Sequence, residues 1–206
     1  MVQAFYETLF TDAVRQMQKD EGADRMYARQ LSEAAPRKDK LGLDEKHFLS
    51  MRDGFYQATV SETGWPYVQF RGGPRGFLKV LDEKTIAYAD FRGNRQYISD
   101  GNLKTDDRIA IIAVDYPNSA RIKILGRARL SDDVELIEQL RNADYRGYVE
   151  RAVVIDVEAF DWNCPQHLPV RLTMVELQPM LAPFQQELAQ LRAENAQLKE
   201  QLAKRE

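Results

Sequence analysis

The sequence predicts an α+β protein, mainly β, in which a small antiparallel barrel carries helices at its periphery. Two observations predict it. From Phe55 onward the chain runs in short stretches of aromatic and β-branched residues broken by Gly, Pro and Asp, the texture of antiparallel strands. The segments before and after repeat their apolar residues at helical spacing. With 206 residues, 44% of them hydrophobic, the chain can bury one good core, so one domain with appendages is expected rather than two domains. The expected divisions are a helical segment packed on the barrel over 1–53, the barrel over 54–180, and a terminal helix over 181–206.

In chain order, Thr11 or Asp12 caps a helix bearing Val14 and Met17, and Met26, Tyr27 and Leu31 continue at helical spacing after Gly22. Pro36 and the charged stretch Arg37 to Lys40 interrupt the pattern, and a short helix over 45–51 ends near Gly54. Strands are expected near 55–61, 66–71, 77–81, 84–89, 107–114, 119–130 and 150–158, with a polar hairpin at Asp82 to Lys84. Over 120–130, apolar Ile122, Ile124 and Ala128 alternate with Lys123, Arg127 and Arg129, so one face is apolar and the other largely cationic. Asp132 followed by Glu135 reads as a capping box for a helix carrying Val134, Ile137 and Leu140. About six strands suit a closed barrel, whose closure removes exposed edges.

The terminal segment from Phe184 lacks further Pro or Gly and is rich in Ala, Leu, Gln, Glu and Lys. Leu181, Leu188, Asn195 and Leu202 share one heptad position, and Phe184, Leu191 and Leu198 share the other. Glu187 with Arg192, and Glu194 with Lys199, have the spacing of pairs formed across a parallel two-stranded coiled coil. The expectation is therefore a homodimer through this helix and the barrel; an amphipathic helix packed on its own barrel is the alternative. A DNA-binding zipper would need a basic run just before the heptads, and residues 172–183 contain none.

Composition narrows the classes further. With 29 basic and 32 acidic residues and a net charge of −3, no bulk field favours nucleic acid or an anionic membrane. The single cysteine, Cys164, forms no intrachain disulfide, and no apolar run approaches the roughly 20 residues of a membrane helix. A cytoplasmic protein is expected, with no nucleic-acid or membrane partner.

The chemistry concentrates in Pro66-Tyr67-Val68-Gln69-Phe70-Arg71-Gly72-Gly73-Pro74-Arg75-Gly76-Phe77-Leu78-Lys79 and in Ala89-Asp90-Phe91-Arg92-Gly93-Asn94-Arg95-Gln96. Cationic side chains beside glycines suit a phosphate joined to a flat polar ring system. Taken alone, Gly72, Gly73 and Gly93 are more often turn residues than a ligand cradle. The segment 93–102 starts like a helix, whose N-terminus would favour an anion.

These ordered motifs resemble the flavin site of pyridoxamine 5′-phosphate oxidases and the wider FMN-binding split-barrel family, over roughly 45–130. The resemblance to a bacterial flavin-nucleotide-binding subgroup extends from Phe10-Thr11-Asp12-Ala13-Val14 to Asn163-Cys164-Pro165-Gln166-His167. It implies a six-stranded split barrel that binds FMN. By resemblance Arg71 and Gly72 belong to the flavin-contacting strand and Lys79 ends the next one. Ala89 and Asp90 meet the flavin through the strand backbone, and Asn94, Arg95 and Gln96 match the Ser-Arg-Lys turn that holds the phosphate. Arg121 stands where such oxidases usually have a glutamine. Gln96 in place of a lysine leaves Arg95 to carry more of the phosphate charge. The segment with which true pyridoxamine phosphate oxidases bind substrate has no counterpart over 170–206.

The implied function is a flavin-dependent oxidoreductase of unassigned small-molecule substrate, with an electron donor such as NAD(P)H, and not a true pyridoxamine phosphate oxidase. The alternatives are a flavin-binding or sensing module without turnover and a haem-binding protein with His167 or His47 as iron ligand. The loop Asn163 to Pro169 either lines the flavin cleft, with His167 as a catalytic proton or hydrogen-bond donor, or shapes a turn against the partner. Cys164 and His167 are too few for a structural metal site, and Phe160 and Trp162 are expected in the core or an interface.

Overall fold

A computed structural model describes residues 2–204. The chain divides into two compact units: everything up to Asp115 together with Ala120–Gln166, and Tyr116–Ser119 together with the chain from His167 on.

The first unit is the expected mainly β split barrel. Its strands are β1 (Gly54–Val60), β2 (Pro66–Gly72), β3 (Leu78–Val80), β4 (Thr85–Phe91), β5 (Arg108–Asp115), β6 (Ala120–Ser131) and β7 (Val149–Trp162). They form one seven-stranded sheet in the order β2-β1-β5-β6-β7-β4-β3, with every pairing antiparallel. Each of the seven expected strand segments is present, one more than the six of the barrel the resemblance implies, and β2 and β3 stand as edges rather than closing the sheet by hydrogen bonds. The sheet must nonetheless curl. Residues 73–77 alone join these two edges, and such a link spans at most roughly 20 Å.

That link is tightly seated. Gly76 has φ +76°, and a Cβ there would lie 2.8 Å from the carbonyl oxygen of Ser50. At Gly73 a Cβ would lie 2.6 Å from the Phe77 ring. Packing of the link therefore requires both glycines, and Phe77 is drawn inward to stack on Phe55 with ring centroids 5.6 Å apart. Tyr88 meets Phe55 edge-on at 5.3 Å, and these rings join Ile86, Ile122, Ile124 and Ile155 in the main core. Burying each such side chain contributes about 1.5–3 kcal/mol.

On β6 the expected alternation holds, with Ile122, Ile124 and Ala128 buried. The cationic face is matched by acids rather than left open: Arg127 donates to Asp107 and Glu158, and Arg129 to Asp156, at 2.6–2.7 Å.

Among the described residues there are six α-helices: α1 (Ala4–Leu9), α2 (Asp12–Asp20), α3 (Leu43–Ser50), α4 (Ile98–Asn102), α5 (Val134–Leu140) and α6 (Met174–Ala203). On α1, Phe5 and Tyr6 pack with Ala159 of β7, and the Tyr6 hydroxyl donates to Asp161 at 3.1 Å. Thr11 caps α2, its hydroxyl accepting the Val14 N–H. The helical spacing of Met26 to Leu31 yields only a 3-10 turn, Asp24–Tyr27, because Gly22 reverses the chain at φ +68°. The cap of α5 is Asp133 rather than Asp132: its carboxylate accepts the N–H groups of Glu135 and Leu136.

In the second unit α6 begins well before the expected start at 181. A capping box at Thr173 and Glu176 satisfies its first N–H groups, so the helix is nucleated upstream of Pro179 and Pro183, which it contains. None of its described residues is buried. Among the described residues no helix is long and apolar enough to cross a membrane.

Candidate functional site

Strand β2 has two unlike faces. Val68 and Phe70 are exposed, while Tyr67, Gln69 and Arg71 are half-buried on the opposite side. The second set lines a cleft of about 220 Å³ together with Asp90 and Phe91 at the end of β4, residues 93–100, and Glu150 of β7. The inner face of β1 and β2 carries a polar row that positions the cleft's far wall. Gln57 accepts from the Tyr88 hydroxyl at 2.7 Å, Thr59 from Asn102 at 2.9 Å, and Gln69 from Ser99 at 2.9 Å. The last two bonds anchor α4 against the sheet.

The helix expected over 93–102 starts only at Ile98 and is a single short turn. Before it, the Asn94 carboxamide oxygen accepts the Gln96 N–H at 3.1 Å, an Asx turn. Arg95 and Tyr97 adopt φ +61° and +53°. Residues with side chains seldom occupy that left-handed region, and such strain concentrates at ligand-binding segments. A regular helix N-terminus is therefore not what this loop offers an anion. It offers the side chains of Asn94, Arg95 and Gln96.

Charge in the cleft is organised by pairs. Arg71 donates to Asp90 at 2.6 Å and approaches Asp100 at 3.6 Å; Arg151 meets Asp100 at 3.2 Å; Arg92 meets Glu150 at 2.8 Å. Both aspartates are 4% exposed, so these pairs are largely removed from water. Each carboxylate thus has its own arginine. Among the described residues that line the cleft, Arg95 is the cation left without a carboxylate partner; its Nε donates to the Tyr97 hydroxyl at 3.2 Å, which in turn donates to Glu150 at 3.1 Å. Burial pushes the Asp90 carboxyl up to about 6, against the opposing pull of Arg71 and with further upward pressure from Asp100. Asp90 therefore holds its proton to a higher pH than an ordinary aspartate does.

Of the residues singled out in the sequence, the fold brings Arg71, Asp90, Asn94, Arg95 and Gln96 to this cleft. Gly72 pairs with Gly54 at the end of β2, Lys79 with Ala87 in the β3–β4 hairpin, and Ala89 with Ala152 in the core, all outside the lining. Arg121 donates to the carbonyls of Cys164 and Gln166, at 3.0 and 3.4 Å, and so fixes the turn after β7. His167 belongs to the second unit and has φ +61°. Phe160 is buried, and Trp162 packs edge-on against Phe48 while donating to Glu45 at 2.7 Å.

The sequence reading missed Tyr67, Gln69, Tyr97, Asp100 and Glu150 as cleft residues. The first two had a signal, because polar Tyr67, Gln69 and Arg71 alternate with Val68 and Phe70. Tyr97 and Asp100 lie in the segment 93–102 already singled out, whereas Glu150 arrives from β7 by long-range packing and had no signal.

The donor set suits a flavin nucleotide. Arg95 with Asn94 and Gln96 supplies positive charge and hydrogen bonds for a phosphate, and Tyr67, Phe91 and Tyr97 supply flat apolar surface. The volume is below the roughly 300 Å³ at which ligand pockets begin, so part of a nucleotide would lie outside it.

Comparison with known proteins gives one family. The model described as pyridoxamine 5′-phosphate oxidase matches residues 45–164. Among solved structures, an FMN-binding protein from Syntrophomonas wolfei is similar at 12% identity, covering 74% of this chain and 96% of its own, with a TM-score of 0.48. HupZ of Group A Streptococcus is similar at 18% identity, covering 64% and 100%, with a TM-score of 0.49. A general stress protein 26 relative from Clostridium acetobutylicum, of the pyridoxinephosphate oxidase family, is similar at 16% identity, covering 66% and 95%, with a TM-score of 0.44. No curated protein matches the chain.

Proposed function

The chain belongs to the pyridoxamine 5′-phosphate oxidase family, and from that premise we propose that its cleft binds FMN for the oxidation or reduction of a small molecule other than a vitamin B6 phosphate. The observation that carries this reading is the surplus cation: Arg95 lacks a carboxylate partner where every acid of the cleft has its arginine. A phosphate monoester supplies the missing anion. Arg71, clamped by Asp90, serves as a rigid wall rather than a mobile phosphate ligand.

Bound FMN would supply the electron transfer, and the chain would supply binding, orientation and proton control. Of the described carboxylates lining the cleft, Asp90 is the one whose pKa burial raises, which makes it the candidate for proton exchange. Part of the ligand must be covered from outside the cleft. The opposite face of β2 and β1 exposes Val68, Phe70 and Tyr56, with Trp65 exposed in the turn between the strands, an apolar surface suited to a second barrel in a homodimer.

Anaerobic mixing of the FMN-loaded protein with NADH or NADPH tests the reading. Bleaching of the flavin absorbance, followed by its return on adding an electron acceptor, is expected of an oxidoreductase. Flavin that dithionite bleaches but that stays oxidised with both nucleotides contradicts a nicotinamide-driven redox role and favours a binding module.

A further inference from the structure

Helix α6 carries a row of large apolar side chains with nothing in its own unit to cover them. Leu188, Leu191, Leu198 and Leu202 are 48–65% exposed. We propose that α6 pairs with α6 of a second copy of this chain as a parallel two-stranded coiled coil along its whole length, from Met174 to Ala203. This proposal does not rest on the flavin reading.

The observed helix start extends the seam by a full heptad beyond the expected one. Met174, Leu181, Leu188, Asn195 and Leu202 fall at position a. Leu177, Phe184, Leu191 and Leu198 fall at position d. In the same register Pro179 takes position f and Pro183 position c. Both positions lie on the outer side of the helix, so the missing N–H groups and proline rings stay out of the seam. A helix of this size is about 45 Å long, and helices standing alone in water are marginal. Covering the seam is what would hold it.

Charge decides the orientation. Glu187 and Glu194 occupy position g, and Arg192 and Lys199 occupy position e. In a parallel pair, g of one chain faces the following e of the other, so both glutamates meet cations. An antiparallel pair would bring g against g and e against e, setting like charges together. Asn195 agrees. In the parallel pair it faces the Asn195 of the second copy and can share a hydrogen bond, whereas an antiparallel pair would bury it against an apolar d residue. The occupant is thus the same helix in the same direction.

Single-cysteine trapping in the full-length chain tests this. In a Cys164→Ser background, Met174→Cys and Leu202→Cys are each oxidised alone with diamide, then mixed and oxidised together. Self-crosslinking of each variant into a covalent dimer is expected. These ends lie about 42 Å apart along the helix, so an antiparallel pair would crosslink only the mixture. Crosslinks confined to the mixture, or no crosslink in any sample, overturn the proposal. A second set guards against collisional crosslinking. Adding Glu187→Lys with Glu194→Lys to the Leu202→Cys chain should weaken self-association of α6 by at least about tenfold, seen as loss of the crosslink. Mixing that chain with one carrying Arg192→Glu, Lys199→Glu and Leu202→Cys should restore it. A crosslink indifferent to these charges also overturns the proposal.

Discussion

The barrel and helix α6 are both rich in apolar residues and treat them in opposite ways. In the barrel Phe55, Ile86, Tyr88 and Ile155 are at most 1% exposed, each covered by strands of the same chain. On α6 every seam residue is at least partly exposed. The barrel's stability is therefore decided within one chain, whereas the helix depends on what it binds and hence on concentration. The site belongs to the first kind of region. Its buried aspartates Asp90 and Asp100 are paired with Arg71 and Arg151, all residues of the first unit.

The largest expected effect lies in the barrel. Tyr88→Ala removes a buried ring and leaves the side chain of Gln57 without its hydroxyl partner. It should cost about 3–5 kcal/mol in urea unfolding. A loss under about 1 kcal/mol would show that the barrel core is less tightly packed than its burial implies.

Next comes the buried aspartate. Asp90 has a folded pKa of about 6, above its unfolded value, so the folded state holds the proton more tightly. Stability from this group is present at low pH and is lost as pH rises through about 4 to 6. The unfolding free energy of the natural protein minus that of Asp90→Asn should therefore fall across that window, by on the order of 3 kcal/mol. A flat difference would place Asp90 among ordinary ionised carboxylates. Only the pH dependence is informative, because Asp90→Asn also weakens the Arg71 pair.

Arg95→Ala is smaller and more selective. It should weaken FMN binding by roughly 1.5–3 kcal/mol, the scale of a hydrogen bond to a charged group. The unfolding midpoint of the FMN-free protein should stay in place. Unchanged FMN affinity would remove Arg95 from the phosphate site. Smallest of all, truncation after Pro183 should leave both the FMN affinity and the barrel unfolding midpoint unaltered, because no cleft residue lies beyond it. Release of flavin on truncation would instead mean that α6 is needed to complete the site.

The same contrast explains what was legible in the sequence. Strand positions could be read because Ile122, Ile124 and Ala128 alternate with Lys123, Arg127 and Arg129, a period that a half-buried strand enforces locally. The β3–β4 hairpin was marked by its polar turn for the same reason. The start of α6 was also written locally, in Thr173 and Glu176, but Pro179 and Pro183 masked it. The pairing of Asp100 and the arrival of Glu150 were not written locally at all. Asp100 reaches Arg71 and Arg151 only because Ser99 and Asn102 dock α4 on the sheet, and Glu150 arrives from β7. The left-handed turn at Arg95 and Tyr97 has no glycine to announce it. Lys79 and Arg121 were assigned by resemblance; Lys79 lies in the β3–β4 hairpin and Arg121 donates to the turn after β7, both outside the lining of the cleft.

FMN titration of the purified full-length protein, followed by quenching of flavin fluorescence, tests the central claim most directly. Saturable uptake approaching one FMN per chain, weakened by Arg95→Ala, is the predicted result. Absence of uptake, with the barrel shown to be folded by its cooperative unfolding, would contradict it.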